Sequence, residues 1–320
     1  MSTGTSAIID CDPGHDDVMA ILLAGRTLDL RGLTTVFGNV DLEQTTRNAR
    51  QTLEFSGMTS VPVVKGMAFP LVRDIRHGAH VHGESGLDGP TLEPPALPLA
   101  DGVATDFIIQ QSHAVPNLTL LPIGPLTNIA TALRLDPTLP ERIKEMSLMG
   151  GSLTSGNATP TAEFNIWCDP EAAHVVFTSG IPIKMIGLNA TRLVAATPER
   201  RAKVRSIGST TSRHVADMLD FYSERYRVVN GLPGGAMHDP LAVAALIDPE
   251  IVRFEPMHVA IELRGTHTYG MTVCDSRHLR PDAPVALRPP RGEAPNAEVA
   301  VDANAERFWE LFLDVLATYP

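Results

Sequence analysis

The sequence is poor in cysteine and in positive charge. Its 320 residues include three cysteines, an odd number, widely separated and without a Cys-x-x-Cys pair. This favours a reducing compartment and argues against a disulfide framework and a zinc site. Lys and Arg number 26 against 37 Asp and Glu, the formal net charge is -11, and no basic block occurs. Nucleic acid and acidic membrane surfaces are therefore disfavoured as partners, and a small uncharged or cationic ligand fits better.

Long apolar runs and targeting signals are also missing. The first six residues are polar, and no run approaches the roughly 20 apolar residues of a membrane span. These absences predict a cytoplasmic protein without a membrane partner. Because there is no internal repeat and no low-complexity linker, we expect a single domain over residues 1–320, with a small helical cap around 190–236 as the alternative.

Short β-branched runs alternate with helical patterns through the first two thirds of the chain, which is typical of parallel strands joined by crossover helices. The predicted fold is α/β, with a mostly parallel central sheet, flanking helices and a Rossmann-like core, and the active site at the C-terminal ends of the strands. The predicted strands include 7–10, 30–36, 61–64, 118–121, 146–149 and 183–186. The predicted helices include 16–27, 42–55, 103–112, 127–135, 170–179 and 304–316.

The remaining segments are assigned by composition. Residues 198–227 are predicted to be mostly helical and to be followed by a turn over 230–235. Two polar segments, 66–98 and 150–169, are predicted to be loops. Loops as long as the first are usually functional or disordered. Its centre, residues 77–86, is rich in histidine and glycine and is interpreted as an active-site flap.

Four carboxylates lie within eight residues, directly after the apolar residues 7–9 of the first predicted strand: Asp10, Asp12, Asp16 and Asp17. Anions this close raise one another's pKa unless a cation lies among them. Compensation of a helix dipole would explain one or two acids but hardly four. The cluster therefore predicts a bound metal ion between strand and helix, where α/β folds bind ligands.

Two other acidic motifs fit this cluster less well. A helix-loop-helix calcium loop fails because Gly14 stands where a third acidic ligand is needed and Ile21 where the closing Glu belongs. The haloacid-dehalogenase phosphotransfer motif also places Asp-x-Asp after a first strand. Here Pro13 and Gly14 replace its hydrophobic-Thr continuation, and no downstream lysine or acidic pair completes the set. Phosphoryl transfer is kept as an alternative function.

The string from Ile8 to Asp17 resembles the N-terminal signature of the nucleoside hydrolases, the inosine–uridine-preferring family. Further blocks resemble that family in order along nearly the whole chain: 34–39, 46–49, 80–86, 124–130, 148–151, 156–158, 163–165, 169–173 and 238–240. The resemblance implies inverting hydrolysis of the N-glycosidic bond of a purine or pyrimidine ribonucleoside. It also implies a homotetramer or dimer that serves nucleoside catabolism and salvage.

The resemblance implies a Ca²⁺ cofactor. Its ligands would be the side chains of Asp12, Asp17 and Asp239 and the backbone carbonyl of Ile123, where the family usually has Thr. Cleavage through an oxocarbenium-like state needs a positioned water and a base. Calcium would hold the ribose diol and acidify the water. Asp12 would act as general base on this metal-bound water, and Asp10 would orient its neighbours.

The resemblance also assigns contacts to the substrate. Asp16 and Asn39 would bind the 2′ and 3′ side of the ribose. The 5′ hydroxyl and the other ribose oxygens would be bound by Asn157, Glu163 and Asn165. The same contacts would serve binding without catalysis, so a calcium-dependent riboside-binding protein is a second alternative.

Departure of the nucleobase is assigned to four residues. His238 stands beside Asp239 and would act as acid or hydrogen-bond donor. His82, on the flap, matches the second histidine of the subgroup that hydrolyses pyrimidine or mixed nucleosides. Tyr222 and Tyr226, four apart on one helical face, resemble the base-flanking tyrosines of the family, although their spacing alone is more typical of a core.

Other polar residues are interpreted as structural. Asn128 follows a strand, where capping of a turn is the usual role. The remaining histidines near the predicted site, among them His15 and His77, are expected to be solvated or packing residues.

Overall fold

The structure is a computed structural model, and it describes residues 4–231, 234–279 and 293–320. Its strands within those residues are β1 (Ser6–Cys11), β2 (Asp29–Thr35), β3 (Val63–Lys65), β4 (Leu118–Pro122), β5 (Ile143–Met149), β6 (Ile183–Ile186), β7 (Val252–Met257), β8 (Val259–Ile261), β9 (Thr272–Cys274) and β10 (Ala297–Ala303). The α-helices are α1 (His15–Thr27), α2 (Leu42–Phe55), α3 (Ala79–His82), α4 (Ala104–Ala114), α5 (Thr127–Leu135), α6 (Phe164–Cys168), α7 (Pro170–Phe177), α8 (Leu188–Thr191), α9 (Pro198–Ile207), α10 (Thr210–Asn230), α11 (His238–Ile247) and α12 (Ala305–Leu316).

The central sheet has eight strands in the order β3-β2-β1-β4-β5-β6-β10-β7. Every neighbouring pair is parallel except β10 and β7, which pair antiparallel. Strands β8 and β9 form a separate antiparallel pair. The predicted mostly parallel α/β fold is confirmed.

Strand β1 shows why this sheet is covered on both faces. Ala7 and Ile9 belong to the core that packs against α1, α11 and α12. Ile8, which points to the opposite face, belongs to the core that packs against α4, α5 and α7. All three side chains are fully buried. A continuous apolar run is what a parallel strand buried on both faces requires.

The strand order reverses at β1, which lies between β2 and β4. The chain builds outward to β2 and β3 on one side and then returns to β4 on the other side. The loops that leave β1 and β4 therefore diverge and open a crevice at the C-terminal edge of the sheet. This crevice is where the sequence places the acidic cluster.

The C-terminal helix packs against α1. Phe308 and Phe312 of α12 are buried in the same core as α1. Beyond the helix, the hydroxyl of Tyr319 donates a hydrogen bond to the carbonyl of Leu22 in α1, at 2.7 Å. The last residues thus support the helix that begins at the acidic cluster.

Several elements of the structure were not predicted from the sequence. Strands β7 and β10 were not expected, and in β10 three alanines and two acids surround only two valines, which is a weak strand signal. Helix α6 lies inside the predicted loop 150–169, because the side chain of Glu163 caps it by accepting from the amides of Asn165 and Ile166. The flap contains the one-turn helix α3.

The predicted helical stretch 198–227 is two helices, separated at Gly208, whose φ of +78° suits glycine. Residues 232 and 233 of the predicted turn over 230–235 lie outside the described residues. Among the helices that the structure describes, none is long and apolar enough to cross a membrane.

Candidate active site

Three carboxylates follow β1, those of Asp12, Asp16 and Asp17, and a fourth, that of Asp239, comes from a helix distant in sequence. Asp16 and Asp17 lie in the first turn of α1, and Asp239 lies in the first turn of α11. Because α1 and α11 pack together, these turns come side by side. Asp16, Asp17 and Asp239 each offer an oxygen, and the three oxygens lie within 4.8 Å of one another. None of these side chains is more than 5% exposed.

Asn39 links Asp12 to Asp17. The carboxylate of Asp12 accepts from the backbone amide of Asn39 at 2.7 Å, and the Asn39 side-chain amide donates to the Asp12 carbonyl at 3.0 Å. The same side-chain amide donates to Asp17 at 3.3 Å. Asp17 also accepts from the amide of Gly14 at 2.9 Å, at the start of α1. Backbone amides and the side chain of Asn39 therefore fix the positions of the Asp12 and Asp17 carboxylates.

Burial and mutual repulsion act together on these acids. Burial, and then the neighbouring Asp17, raise the pKa of Asp12 and of Asp16 well above the usual range. Burial, and then Asp16 and Asp17, do the same for the pKa of Asp239. Burial raises the pKa of Asp17 to about 6. In the described part of the chain, no Lys or Arg forms a salt bridge with any of them.

A metal ion fits this donor set. Buried carboxylates without a cationic partner are costly unless an ion compensates them, and donors that are all oxygen suit a hard divalent cation. The cluster could therefore hold a metal. The three oxygens closest together include Asp16, which the sequence assigned to the ribose, whereas the predicted ligand set contained Asp12 and the carbonyl of Ile123. That carbonyl accepts from the side-chain amide of Asn165 at 2.9 Å.

Asp10 lies behind the cluster. One oxygen of its carboxylate accepts from the hydroxyl of Thr34 at 2.6 Å and from the side-chain amide of Asn128 at 2.7 Å. Burial raises its pKa to about 7. Asn128 also donates to the carbonyl of Thr35 at 3.0 Å and accepts from the amide of Met67 at 2.8 Å. Asn128 is thus structural, but as a clamp between β1 and β2 rather than as the turn cap that was expected.

A cavity of about 190 Å³ opens over the cluster. Every predicted site residue except Asp17 borders it: Asp12, Asp16, Asn39, His82, Ile123, Asn157, Glu163, Asn165, Tyr222, Tyr226, His238 and Asp239. Residues that sequence reasoning missed also border it, notably His77, Phe164 and Trp167. Phe164 and Trp167 lie in α6, where a loop was expected, so no helical pattern pointed to them.

The residues assigned to the ribose position one another. The carboxylate of Glu163 accepts from the backbone amides of Gly151 and Asn165, each at 2.9 Å, and burial raises its pKa. Asn157 accepts from the amide of Phe164 at 2.9 Å. These contacts hold α6 against the loop after β5. A ligand would meet a surface that is already ordered.

Both ring nitrogens of His238 have partners. Nδ1 lies 2.7 Å from the hydroxyl of Thr191, and Nε2 lies 2.5 Å from the hydroxyl of Tyr226. Burial, followed by the nearby Arg192, lowers the pKa of His238 to about 3. The Tyr222 hydroxyl donates to the carbonyl of Ala236 at 3.1 Å. Nothing in the sequence pointed to Thr191, since it comes from α8, a separate short helix.

These features define an α/β protein with an acid-lined, metal-competent cavity at the switch point of its sheet. Residues 7–310 match the sequence model of the family described as "Inosine-uridine preferring nucleoside hydrolase". The chain belongs to this family. It is a hydrolase that acts on N-glycosyl compounds.

Relatives and solved structures agree over almost the whole chain. The chain is 42% identical over 314 residues to an inosine-uridine preferring nucleoside hydrolase of Leishmania major, covering 97% of this chain and 96% of that one. It is 41% identical over 316 residues to a pyrimidine-specific ribonucleoside hydrolase of Photobacterium profundum, covering 98% of each. The structure of a purine-preferring ribonucleoside hydrolase from Gardnerella vaginalis matches with a TM-score of 0.89, at 32% identity, over 98% of each chain.

Proposed function

We propose that the protein is a calcium-dependent hydrolase that converts a purine or pyrimidine ribonucleoside to ribose and free base with inversion. The observation that carries this proposal is the acid-lined cavity. The cavity is bordered both by buried carboxylates and by the side chains assigned to ribose and nucleobase. Within the described residues, these carboxylates form no salt bridge with Lys or Arg.

Calcium would be held by Asp12, Asp17 and Asp239, together with the carbonyl of Ile123. The all-oxygen donor set and the burial of the three carboxylates support this assignment. When bound, the ion supplies positive charge that orients the ribose diol and acidifies the attacking water.

Asp12 is the proposed general base. Its carboxylate borders the cavity and is oriented by the amide of Asn39. A carboxylate fixed in this position can accept a proton from a water molecule in the cavity. Asp12 takes one proton from the water while the water oxygen bonds to C1′ on the face opposite the base. The C1′–N bond breaks, and its electron pair leaves with the nucleobase.

Five side chains are proposed to contact the hydroxyls and the other oxygens of the ribose. Asp16 and Asn39 contact the 2′ and 3′ hydroxyls. The 5′ hydroxyl and the remaining oxygens are contacted by Asn157, Glu163 and Asn165. Since these side chains are already ordered by backbone hydrogen bonds, binding costs little further conformational entropy.

The departing base is met by His82, Tyr222, Tyr226 and His238. Burial lowers the pKa of His238 to about 3, so its imidazole is neutral and acts as a hydrogen-bond donor. Because Tyr226 occupies the Nε2 side of His238, the Nε2 hydrogen is donated to the Tyr226 oxygen, and the Tyr226 hydroxyl donates a hydrogen bond to the departing base. The base takes up its proton from water after the bond has broken. Tyr222 and His82 stack at a centroid distance of 5.4 Å, and both border the cavity. Their rings form the surface against which a flat base packs.

The two alternatives are less well supported. Among the described residues that border the cavity there is no Lys or Arg, so no such side chain would compensate the charge of a phosphate group beside the carboxylates, and phosphoryl transfer is disfavoured. A riboside-binding protein without catalysis would not require a base at Asp12.

One experiment tests the proposal. The purified protein is incubated with inosine, adenosine, uridine, cytidine and their 2′-deoxy forms, with and without a chelator, and reducing sugar is measured. We expect release from at least one ribonucleoside, its loss with chelator and its recovery with calcium. The deoxy substrates should react far more slowly, since the lost hydroxyl contacts contribute to transition-state binding. No release from any ribonucleoside with calcium present would refute the proposal.

The proposal includes a single-domain, cytoplasmic homo-oligomer. The three cysteines are free, which supports a reducing compartment. Sedimentation equilibrium distinguishes a tetramer or dimer from a monomer.

A further inference from the structure

Two sets of rings border the cavity. The first set consists of the residues assigned to the nucleobase, whose rings contact one another in the order His82, Tyr222, Tyr226 and His238. The second set, Phe164 and Trp167, stands on α6, with ring centroids 6.5 Å apart. Among the described side chains, no ring of one set contacts a ring of the other. A nucleoside has one aromatic group, its base, so the second set can contact another part of the substrate.

Helix α6 places the second set beside the residues assigned to the ribose. Phe164 stands between Glu163 and Asn165, which are assigned to the 5′ hydroxyl and the other ribose oxygens. Trp167 follows about one turn later on the same helix. Both rings are half-buried and border the cavity. A group attached to C5′ of a bound nucleoside would therefore meet these two rings.

Arg76 holds the indole of Trp167 in place. Its guanidinium lies 4.0 Å from the centre of the Trp167 ring, and its Nη1 donates to the Trp167 carbonyl at 2.9 Å. Contact between a guanidinium and an indole face is favourable. The backbone of Trp167 also packs against Gly270, where a Cβ would lie 3.2 Å from the Trp167 Cα. The ring is therefore ordered before a ligand arrives, which lowers the entropic cost of binding.

The polar groups assigned to the 5′ hydroxyl do not depend on it. Both carboxylate oxygens of Glu163 accept from backbone amides. The side-chain amide of Asn165 donates to the carbonyls of Ile123 and Met149, and Asn157 is exposed to water. A site rejects a substrate that lacks a hydroxyl most strongly when its own buried polar groups are left unpaired. These groups keep their partners, so replacement of the 5′ hydroxyl should cost little.

We propose that Phe164 and Trp167 bind an apolar group in place of the 5′ hydroxyl, so that the substrates include 5′-deoxy-5′-alkylthio ribonucleosides. The inference rests on the proposed function, since it takes the ribose to bind the residues assigned there. A thioether sulfur packs favourably against aromatic rings, and its alkyl chain is stabilised by leaving water. Because Trp167 is only half-buried, a longer chain extends along its ring towards the solvent.

The test measures how the rate depends on the length of the 5′ group. The ribonucleoside with the highest kcat/KM is compared with its 5′-deoxy form and with its 5′-methylthio, 5′-ethylthio, 5′-propylthio and 5′-butylthio derivatives, and release of the free base is measured. We expect kcat/KM of the wild-type protein to rise about twofold for each methylene added to the thioether, because contact with a half-buried ring removes part of each methylene from water.

Trp167→Ala should abolish this dependence on length, so that kcat/KM differs by less than about twofold between the methylthio and butylthio compounds. Phe69→Ala is the matched control, since Phe69 is 68% exposed and does not border the cavity, and it should keep the wild-type dependence. If Trp167→Ala does not fold, as judged by circular dichroism, Trp167→Gln carries the same comparison. The wild-type series decides the inference even without a variant.

A wild-type kcat/KM that stays constant or falls as the chain lengthens would overturn the inference. An equal loss on every compound in Trp167→Ala would also overturn it, because Trp167 would then contact the base or the ribose rather than the 5′ group. Failure of the proposed function is distinguishable, since the wild-type protein would then release no base from the unmodified ribonucleoside.

Discussion

The two sides of the cavity are built in different ways. The carboxylate side stands on the first turns of α1 and α11, two buried helices that pack against each other. The ring side combines His82, which lies on a one-turn helix in the flap, with Tyr222 and Tyr226 from α10, a helix that has one exposed face. The comparison teaches that the proposed chemistry at C1′ and the proposed contacts to the base stand on different elements that are joined at two points. The backbone amide of His15 in α1 donates to His82, and His238 in α11 contacts Tyr226.

The largest effect is expected on the carboxylate side. Asp12→Asn keeps the shape of the side chain but removes the proposed base, so kcat should fall at least about 10³-fold. Because the variant also removes one buried charge, the fold should survive, with an unchanged or higher Tm when calcium is absent. Initial rates of sugar release and thermal unfolding measure both. Asp314→Asn, on the exposed side of α12, is the control, and retained turnover in Asp12→Asn would contradict the assignment.

A smaller effect is expected on the ring side. Tyr226→Phe removes the hydroxyl at Nε2 of His238 and with it the proposed hydrogen bond to the departing base, so kcat for nucleosides should fall about 10- to 100-fold. An aryl riboside, p-nitrophenyl β-D-ribofuranoside, releases a stabilised phenolate and does not need this hydrogen bond. The aryl riboside should be nearly unaffected, which Asp12→Asn would not show. Tyr269→Phe removes a hydroxyl that contacts Glu171 outside the cavity and serves as the control. A loss of the same size on both substrates would place Tyr226 on the carboxylate side of the comparison.

The support behind the carboxylate side is tested by Asn128→Ala. This change removes the hydrogen bonds to Asp10 and to the carbonyl of Thr35 and leaves buried polar groups unpaired. The free energy of unfolding should fall by about 1–3 kcal/mol. Urea denaturation measures this loss, and kcat at a temperature well below Tm should change by less than about tenfold. A stability equal to that of the wild type would contradict the clamp between β1 and β2.

The smallest effect is expected at the rim. Arg192 donates to the hydroxyl of Ser155 and to the carbonyl of Gly156, each at 3.0 Å, and so holds the segment that carries Asn157. Arg192→Met should raise KM about threefold while kcat changes little, because ground-state and transition-state binding weaken together. Steady-state kinetics check this, with Arg213→Met on α10 as the control. A fall in kcat with an unchanged KM would show that Arg192 acts on the reaction itself.

The same contrast explains what could be predicted from the sequence. Strands β1 and β6 are apolar runs with clear ends, and helices α1, α2 and α5 show a clear helical pattern. The bounds of all five were therefore predicted nearly to the residue. The four acids from Asp10 to Asp17 lie within eight residues, and local chemistry alone indicated a metal. Strands β7 and β10 were missed because their pairing is decided by neighbours distant in sequence, which no local pattern reports.

The ring side could be predicted only in part. His82 and Tyr222 were identified through family resemblance, since a flap histidine and a buried tyrosine carry no signal of their own. The contact between His15 and His82 joins residues 67 positions apart, and that between Thr191 and His238 joins residues 47 apart. Such contacts depend on how the loops pack against the core. No short stretch of the sequence indicates this packing.

The contact between Tyr319 and Leu22 has a consequence for the order of synthesis. Residues 10–17 are made long before residue 319, yet α1 lacks the contact from Tyr319 until that residue has been added. Strand β10 likewise enters between β6 and β7 only after both exist. A nascent chain that stalls before residue 297 therefore exposes two unpaired strand edges. The cavity can reach its final form only after β10 and residue 319 have been made, so aggregation of incomplete chains, rather than premature activity, is the hazard that this topology creates.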